Sequence, residues 1–451
     1  MANPDAIAGI PRHRRPIAVV AVLSAMALVV LDAGMANVAL PNIAKALAVT
    51  PASAVLVITS YQAALVMALL PCSALGQRLG YRRVFVAGVT LFTAASVLCS
   101  LALTLPLLLA ARFLQGLGGA AVMALGVALL RFTVPHDQLG RVISWNALTV
   151  ALSTAVAPTV GALILSHASW PSLFVINFPV GCVALVASQL LPSTRPSSQP
   201  LDVPSMALTS LMFGAMVLGA EFAIERPVLG WATIAVASMS LLALVRRERP
   251  KVAPLIPIDL LRSKSFRTSV IASVICFTGQ TAGVVALPFY LQYGLQQSTL
   301  ATGLYMTAWP LSVAATATVS GRLADRLPAA WLCAGGATLL AIGLAIAALW
   351  PLKGNPAPLV LFAAICGVGF GLFNVPNNRT MFLTAPPERS AAAGGMQGTA
   401  RLTGQTAGAV LMTALFTLTT LNFAPRIGLI VGALFALIAA MVSISHRAID
   451  G

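Results

Sequence analysis

Charge is scarce in this sequence. Only 8% of its 451 residues are Asp, Glu, Lys or Arg, where a soluble domain averages roughly a quarter. With 59% hydrophobic residues, the chain cannot cover its surface with groups that water solvates. Acid is scarcest, at 11 Asp and Glu against 27 Lys and Arg. The four histidines (His13, His136, His167, His446) lie far apart, mostly in loops, and the six cysteines (Cys72, Cys99, Cys182, Cys276, Cys333, Cys366) lie in apolar stretches without CxxC spacing. No metal site is therefore expected, and the cysteines read as packing residues. HExxH, GxSxG and P-loop patterns are absent, so the chain is not expected to be an enzyme. The net charge of +16 does not describe a nucleic-acid surface, because the bases come in short clusters between apolar stretches and not along one soluble face. An all-α integral membrane protein is the reading left, with the lipid bilayer as a partner and nucleic acid excluded.

Apolar windows long enough to cross a bilayer, about 20 residues as helix, are plentiful. Six come first: Ile17 to Leu40, Ser53 to Leu75, Val84 to Leu105, Leu107 to Leu130, Val142 to Leu165 and Leu173 to Leu191. A Pro/Ser-rich linker (Leu191 to Pro200) precedes two more, Met206 to Ala223 and Val228 to Val245. After a basic segment, Arg246 to Arg267, come Val270 to Leu291, Leu300 to Val319, Ala330 to Leu349, Leu359 to Phe382, Leu402 to Leu421 and Ile427 to Ile444. The domain plan is a six-helix bundle over 1–192, a linker and two-helix insert over 193–267, and a second six-helix bundle over 268–451. Arg12, Arg14 and Arg15 imitate a secretory signal, but the run behind them is far too long for one and should be kept as the first span. With the N-terminus inside, 22 of the 27 Lys and Arg, Arg401 among them, fall in cytoplasmic segments, which supports 14 spans with both termini cytoplasmic. Twelve spans with windows seven and eight as a shallow hairpin keep the same parity.

An internal repeat is visible. LGQRL (Leu75 to Leu79) and LADRL (Leu323 to Leu327) each follow the second helix of their block, and Gly88 and Gly336 lie at the same 248-residue offset. Transporters are often built from such related halves.

Four charged residues fall inside the windows: Asp32, Arg112, Glu221 and Arg379. The last two lie within about a turn of a helix end, where a long side chain snorkels to the interface. Asp32 and Arg112 have depths that agree within about one turn, so they can pair. A rearrangement that separates them would favour proton uptake by Asp32, which makes the two candidate proton-coupling residues. A static salt bridge fixing two helices is the alternative. Other intramembrane polarity gathers in the fourth helix at Gln115, in the ninth at Thr278, Gln280, Thr281 and Tyr290, and in the twelfth at Asn374, Asn377 and Asn378. A shared substrate cavity, with Phe373 available to stack on a lipophilic ligand, is the economical reading, though each residue singly could form an interhelical hydrogen bond. Arg78, Arg82 and Arg83 at the end of the second helix, and Asp325 and Arg326 at the equivalent place, are candidate gating residues beside their positive-inside role. Pro158 and Gly161, in a stretch of small residues of the fifth helix, permit bending and close packing.

At these residues the chain resembles the major facilitator superfamily, and within it the fourteen-helix drug:proton antiporter branch. Leu31 to Pro41 is similar to that branch's LDxTIxNVALP, Arg112 to Ala120 to RxxQGxGxA, and Trp170 to Gly181 to WRxxFxINxPxG, with Gly34 and Pro171 as departures. GFGLFNVPNN (Gly369 to Asn378) and ARLTGQTAG (Ala400 to Gly408) resemble its late helices. The loop motif GxLaDRxGRRR has Gln77 in place of its acid and Ser73 in place of its first glycine, while GxxxGPxxGG is reduced to Ser153, Ala157, Pro158, Gly161 and Ala162. The resemblance implies two six-helix bundles around a cavity lined by the first, fourth, ninth and twelfth helices. It also implies export of lipophilic, often cationic, drug-like compounds in exchange for protons, by alternating access. The expected setting is a bacterial inner membrane, the expected state a monomer, and the only coupling species a proton, with no cofactor. Proton-coupled transport of one specific metabolite, and a non-transporting membrane sensor or assembly protein, are the alternatives.

Overall fold

The computed structural model describes residues 14–193, 201–249, 259–351, 355–386 and 389–445. The linker from 194 to 200, the middle of the basic segment (250–258), Arg12, Lys353 and Arg447 lie outside the described residues. Among the described residues there is no strand. The helices are α1 (Arg15–Ala46), α2 (Pro51–Leu79), α3 (Tyr81–Ser100), α4 (Leu105–Thr133), α5 (His136–His167), α6 (Ser172–Val175), α7 (Asn177–Ser188), α8 (Val203–Glu225), α9 (Pro227–Glu248), α10 (Lys264–Phe289), α11 (Thr299–Leu323), α12 (Ala329–Leu349), α13 (Pro358–Thr384), α14 (Ser390–Leu418) and α15 (Ala424–Ser445). Counting α6 and α7 as one interrupted span, that makes 14 spans among the described residues.

Local chemistry sets the helix starts. Thr50 caps α2 by accepting the Ser53 amide at 3.2 Å, with Pro51 in the first position, and Asp202, Ser263 and Ser298 cap α8, α10 and α11 in the same way. Gly80, at φ 96°, supplies the reversal between α2 and α3 that an L side chain would strain. Prolines inside helices are tolerated where neighbouring helices satisfy the freed backbone groups. Pro288 is followed directly by a π-helical turn, Tyr290–Gly294, the local adjustment expected of an interrupted hydrogen-bond ladder.

The first seven helices pack as one bundle, with α2 and α3 against α4 and α1 against α5. The last six form another, with α12 and α11 against α13 and α10 against α14 and α15. The two meet along a seam made chiefly of α5 with α11 and α2 with α14. The repeat has a physical meaning here. A Cβ at Gly88 would stand 3.1 Å from the Gly118 carbonyl oxygen, and one at Gly336 would stand 2.6 Å from that of Gly369. The same close approach is thus made by α3 on α4 and by α12 on α13.

The insert consists of two helices of 23 and 22 residues, about 33 Å each at 1.5 Å per residue, enough to cross the hydrocarbon core and unlike a shallow hairpin. α8 packs on α2 and α14, covering one flank of the seam, and Ser210 Oγ donates to the Met67 carbonyl at 3.0 Å. Among the described residues 11 helices are long and apolar enough to cross a membrane. Besides the interrupted α6/α7, the remaining two are α11 and α14. Both pack across the seam, where a neighbour instead of lipid covers their polar groups.

Three boundaries differ from expectation. The sixth window is broken at Ile176 into α6 and α7; Pro179 lacks the N–H that would continue the ladder. α1 runs through Pro41 to Ala46. α14 starts at Ser390, 12 residues before the expected window, because its first three turns are small residues that pack against α2. Arg401 therefore lies inside a helix and not in a cytoplasmic segment.

Candidate functional site

Asp32 sits in the middle third of α1, 2% exposed, and meets Arg112 of α4, 1% exposed, through Nη1 to Oδ2 at 2.5 Å. The pair has company. Gln115, one helical turn after Arg112, donates from Nε2 to Asp32 Oδ1 at 3.0 Å and to Ser96 Oγ at 2.8 Å, and accepts from Arg112 Nη1 at 2.6 Å. Asn177, placed at the first position of α7 by the break at Ile176, donates to Asp32 Oδ1 at 2.7 Å. Arg112 Nε donates to the Val57 carbonyl at 3.3 Å. The guanidinium lies between two rings, its Cζ 4.3 Å from the centroid of Tyr61 and 5.5 Å from that of Phe174, a favourable position for a cation out of water.

Three donors converge on two carboxylate oxygens, and that is what an ionised carboxylate accepts. The desolvation cost of a buried ion pair is repaid only when the remaining hydrogen-bonding capacity is also filled, and here it largely is. Protonating Asp32 would weaken these bonds, because a neutral carboxyl is a poorer acceptor than a carboxylate. The network therefore links α1, α3, α4 and α7 to the charge state of one carboxylate. Asn177 was not singled out by sequence reasoning; its place in the INxP pattern, just before a helix-interrupting proline, was the available signal.

The other expected site residues divide. Gln115 is buried and belongs to the network just described. Tyr290 is buried and donates its hydroxyl to the Trp350 carbonyl at 2.8 Å, inside the second bundle. Phe373 is fully buried in the core, where its carbonyl accepts from Cys333 Sγ. Asn377 is buried and donates to the Ser269 carbonyl at 3.1 Å and to Ser273 Oγ at 2.7 Å, tying α13 to α10. Gln280, Asn374 and Asn378 are half-buried; Asn378 donates to Asn374 Oδ1 at 3.1 Å and leaves its own Oδ1 buried without a partner. The expected cavity wall is thus split between bundle interiors and a smaller half-exposed set.

Of the expected gating residues, Arg78 lies in the last turn of α2, and Arg82 and Arg83 in the first turn of α3. Asp325 forms an ion pair with Arg379 at 2.8 Å, so Arg379 has a partner of its own. Arg326 lies beside them, exposed. Pro158 is at the seam, where a Cβ on Gly303 of α11 would stand 2.6 Å from its carbonyl oxygen, whereas Gly161 packs within the first bundle, an added Cβ there standing 3.1 Å from Met35 Cα of α1. The halves of α5 and α11 nearer the Ala46 end are packed together, with Thr159 and Thr307 hydroxyls 2.5 Å apart. At the same end α1 meets the π turn through Tyr293 to the Pro41 carbonyl (3.3 Å) and α11 through Asn42 to Thr299 (3.4 Å). Towards the Arg15 end, Trp145, Leu148 and Leu152 of α5 and Leu311 and Val319 of α11 are exposed.

Two bundles of matching construction, an insert between them and a buried ion-pair network in the first are the context for the comparison with known proteins. The family described as Major Facilitator Superfamily matches residues 22–409 and 269–448. The chain belongs to that superfamily. It is 40% identical over 440 residues, 96% of each chain, to "Uncharacterized transporter YebQ" of Escherichia coli (strain K12). It is 28% identical over 378 residues to "Riboflavin transporter RibZ" of Clostridioides difficile (strain 630), covering 82% of this chain and 81% of that one. It is also 28% identical over 406 residues to "Tetracenomycin C resistance and export protein" of Streptomyces glaucescens, covering 87% of this chain and 74% of that one. As a superfamily member it is a multi-pass membrane transporter and not an enzyme, and small molecules are its cargo.

Proposed function

We propose that this protein is a proton-coupled secondary exporter of lipophilic, drug-like compounds in a bacterial inner membrane, with both termini cytoplasmic, working as a monomer by alternating access. The observation that carries the reading is the Asp32–Arg112 pair, buried near mid-helix with Gln115 and Asn177 as further donors. Ionisable groups at such depth are expensive and serve ion or proton movement by default. In this reading Asp32 carries the proton and Arg112 is its electrostatic partner. The seam at Pro158 and Gly303 is the surface on which the bundles rock, and Gly161 lets α5 pack closely on α1 behind it. Arg78, Arg82, Arg83, Asp325 and Arg326 act where the bundles approach at the Arg15 end. Gln280, Asn374 and Asn378 are the polar contacts left for cargo, and the proton is the only coupling species. The likeness to an antibiotic export protein supports export. The likeness to a riboflavin transporter favours a second reading, proton-coupled transport of one metabolite.

The test uses inverted membrane vesicles with a preset pH gradient, adding lipophilic drugs of varied structure to vesicles with the native chain or Asp32→Asn. Proton release by several compounds through the native chain, lost in the variant, is the expected result. Equal responses from both would make Asp32 a structural residue, and a response to one compound class alone would select the metabolite reading.

A further inference from the structure

Arg401 is the intramembrane charge that nothing in the Asp32 network uses. It lies 11 residues into α14, close to the middle of a 29-residue helix. That is about three turns from the nearer end, too deep to reach the interface as a terminal arginine does. Its position faces the seam. Gly398, three residues before it, meets Leu69 of α2 (3.3 Å from an added Cβ), and Gly404, three residues after it, meets the Val274 carbonyl of α10 (2.5 Å). Residues three apart share a helix face, so Arg401 stands where α14 touches the first bundle on one side and α10 on the other.

The guanidinium is unmatched. Arg401 makes no hydrogen bond or ion pair among the described residues, and its Nε is buried without a partner. Among the described residues, four aspartates are engaged elsewhere: Asp32 by Arg112, Asp202 by Arg247, Asp259 by Arg389 and Asp325 by Arg379. Tyr61 of α2 does not share this place: its hydroxyl stands against Gly119 of α4, 3.0 Å from an added Cβ, inside the first bundle, and its ring carries Arg112 on its face. A buried donor left unsatisfied, as Arg401 Nε is, is costly. The missing partner is an acceptor with negative charge.

Resting on the exporter reading above, we propose that the seam between α2, α10 and α14 holds the oxyanion of an amphipathic cargo, a carboxylate or comparable acidic head, through the Arg401 guanidinium. The lipophilic remainder lies against the apolar seam. The cargo class is then acidic, since a cationic head would meet the unmatched guanidinium.

A matched probe set tests this: dansylglycine (carboxylate), dansylglycinamide (neutral) and dansylethylenediamine (cation), bound to the full chain in phosphatidylcholine nanodiscs and followed by dansyl fluorescence. The carboxylate should bind about tenfold more tightly than either of the others. Arg401→Gln should bring the three affinities together, and Arg401→Lys should keep most of the preference. Absent or equal binding of the carboxylate and the amide, a preference for the cation, or a preference that survives Arg401→Gln overturns the proposal. Displacement of dansylglycine by added phosphatidylglycerol would overturn it in favour of a lipid headgroup. Binding is read without transport, so export fails separately: dansylglycine that binds through Arg401 but is never moved against its gradient refutes export and leaves the site standing.

Discussion

The two bundles share a frame and differ in what they bury. Gly88 against Gly118 and Gly336 against Gly369 bring the same pair of helices together in each half. By the same 248-residue offset, Asp32 of α1 falls on Gln280 of α10. In the first bundle that position holds a carboxylate closed in by Arg112, Gln115 and Asn177. In the second it holds a half-buried amide oxygen that accepts from Thr281 at 3.3 Å, and the helices nearby are tied by neutral bonds such as Asn377 to Ser273. One scaffold therefore supports a buried ion pair in one half and neutral bonds at the matching place in the other. Frame stability comes from small-residue contacts common to both halves, whereas the Asp32–Arg112 pair was added to one of them.

That contrast is open to attack at several strengths. Arg112→Leu strands the Asp32 carboxylate and should cost about 3–5 kcal/mol, read as a fall in the thermal unfolding midpoint of purified protein. Adding Asp32→Asn should recover part of it, and a double variant as unstable as the single one would mean the charges are not coupled. Asn177→Ala removes a donor to a charged acceptor and should cost about 1.5–3 kcal/mol. Asn377→Ala, its uncharged counterpart, should cost about 0.5–1.5 kcal/mol in the same assay; equal losses would erase the difference between the interiors. Gly88→Ala and Gly336→Ala each force a helix contact apart and should lower stability by about 1–3 kcal/mol, by similar amounts if the frame is shared. Asp325→Asn breaks an exposed pair with Arg379, and its effect should stay below about 1 kcal/mol.

How much was legible beforehand varies with the physics involved. Asp32 and Arg112 stood out because each is a lone charge in an apolar run, and their depths followed from helical rise. The 14 spans followed from apolar length. Asn177 was hidden because an amide in a motif gives no sign that a helix break will aim it at a carboxylate 145 residues away. Arg401 was placed outside the membrane for a related reason: Ser390 to Ala400 is rich in Ala and Gly, and hydropathy does not register a helix whose neighbour is another helix. Tyr290, Phe373 and Asn377 share their helices with Gln280 and Asn374, and only rotation about each helix axis, set by packing, sends them inward.

The amino-acid sequence determined by itself that this chain lives in lipid and that it is two related halves, because those properties depend on composition and on the recurrence of motifs, while the length of the insert helices came from the structure. Tertiary structure alone decided which donors close on Asp32, that α8 covers the α2–α14 flank, and that Arg401 has no counter-ion among the described residues. Those depend on which faces of distant helices meet, and such contacts are fixed by the packing of small residues at the Gly88, Gly336 and Gly303 approaches.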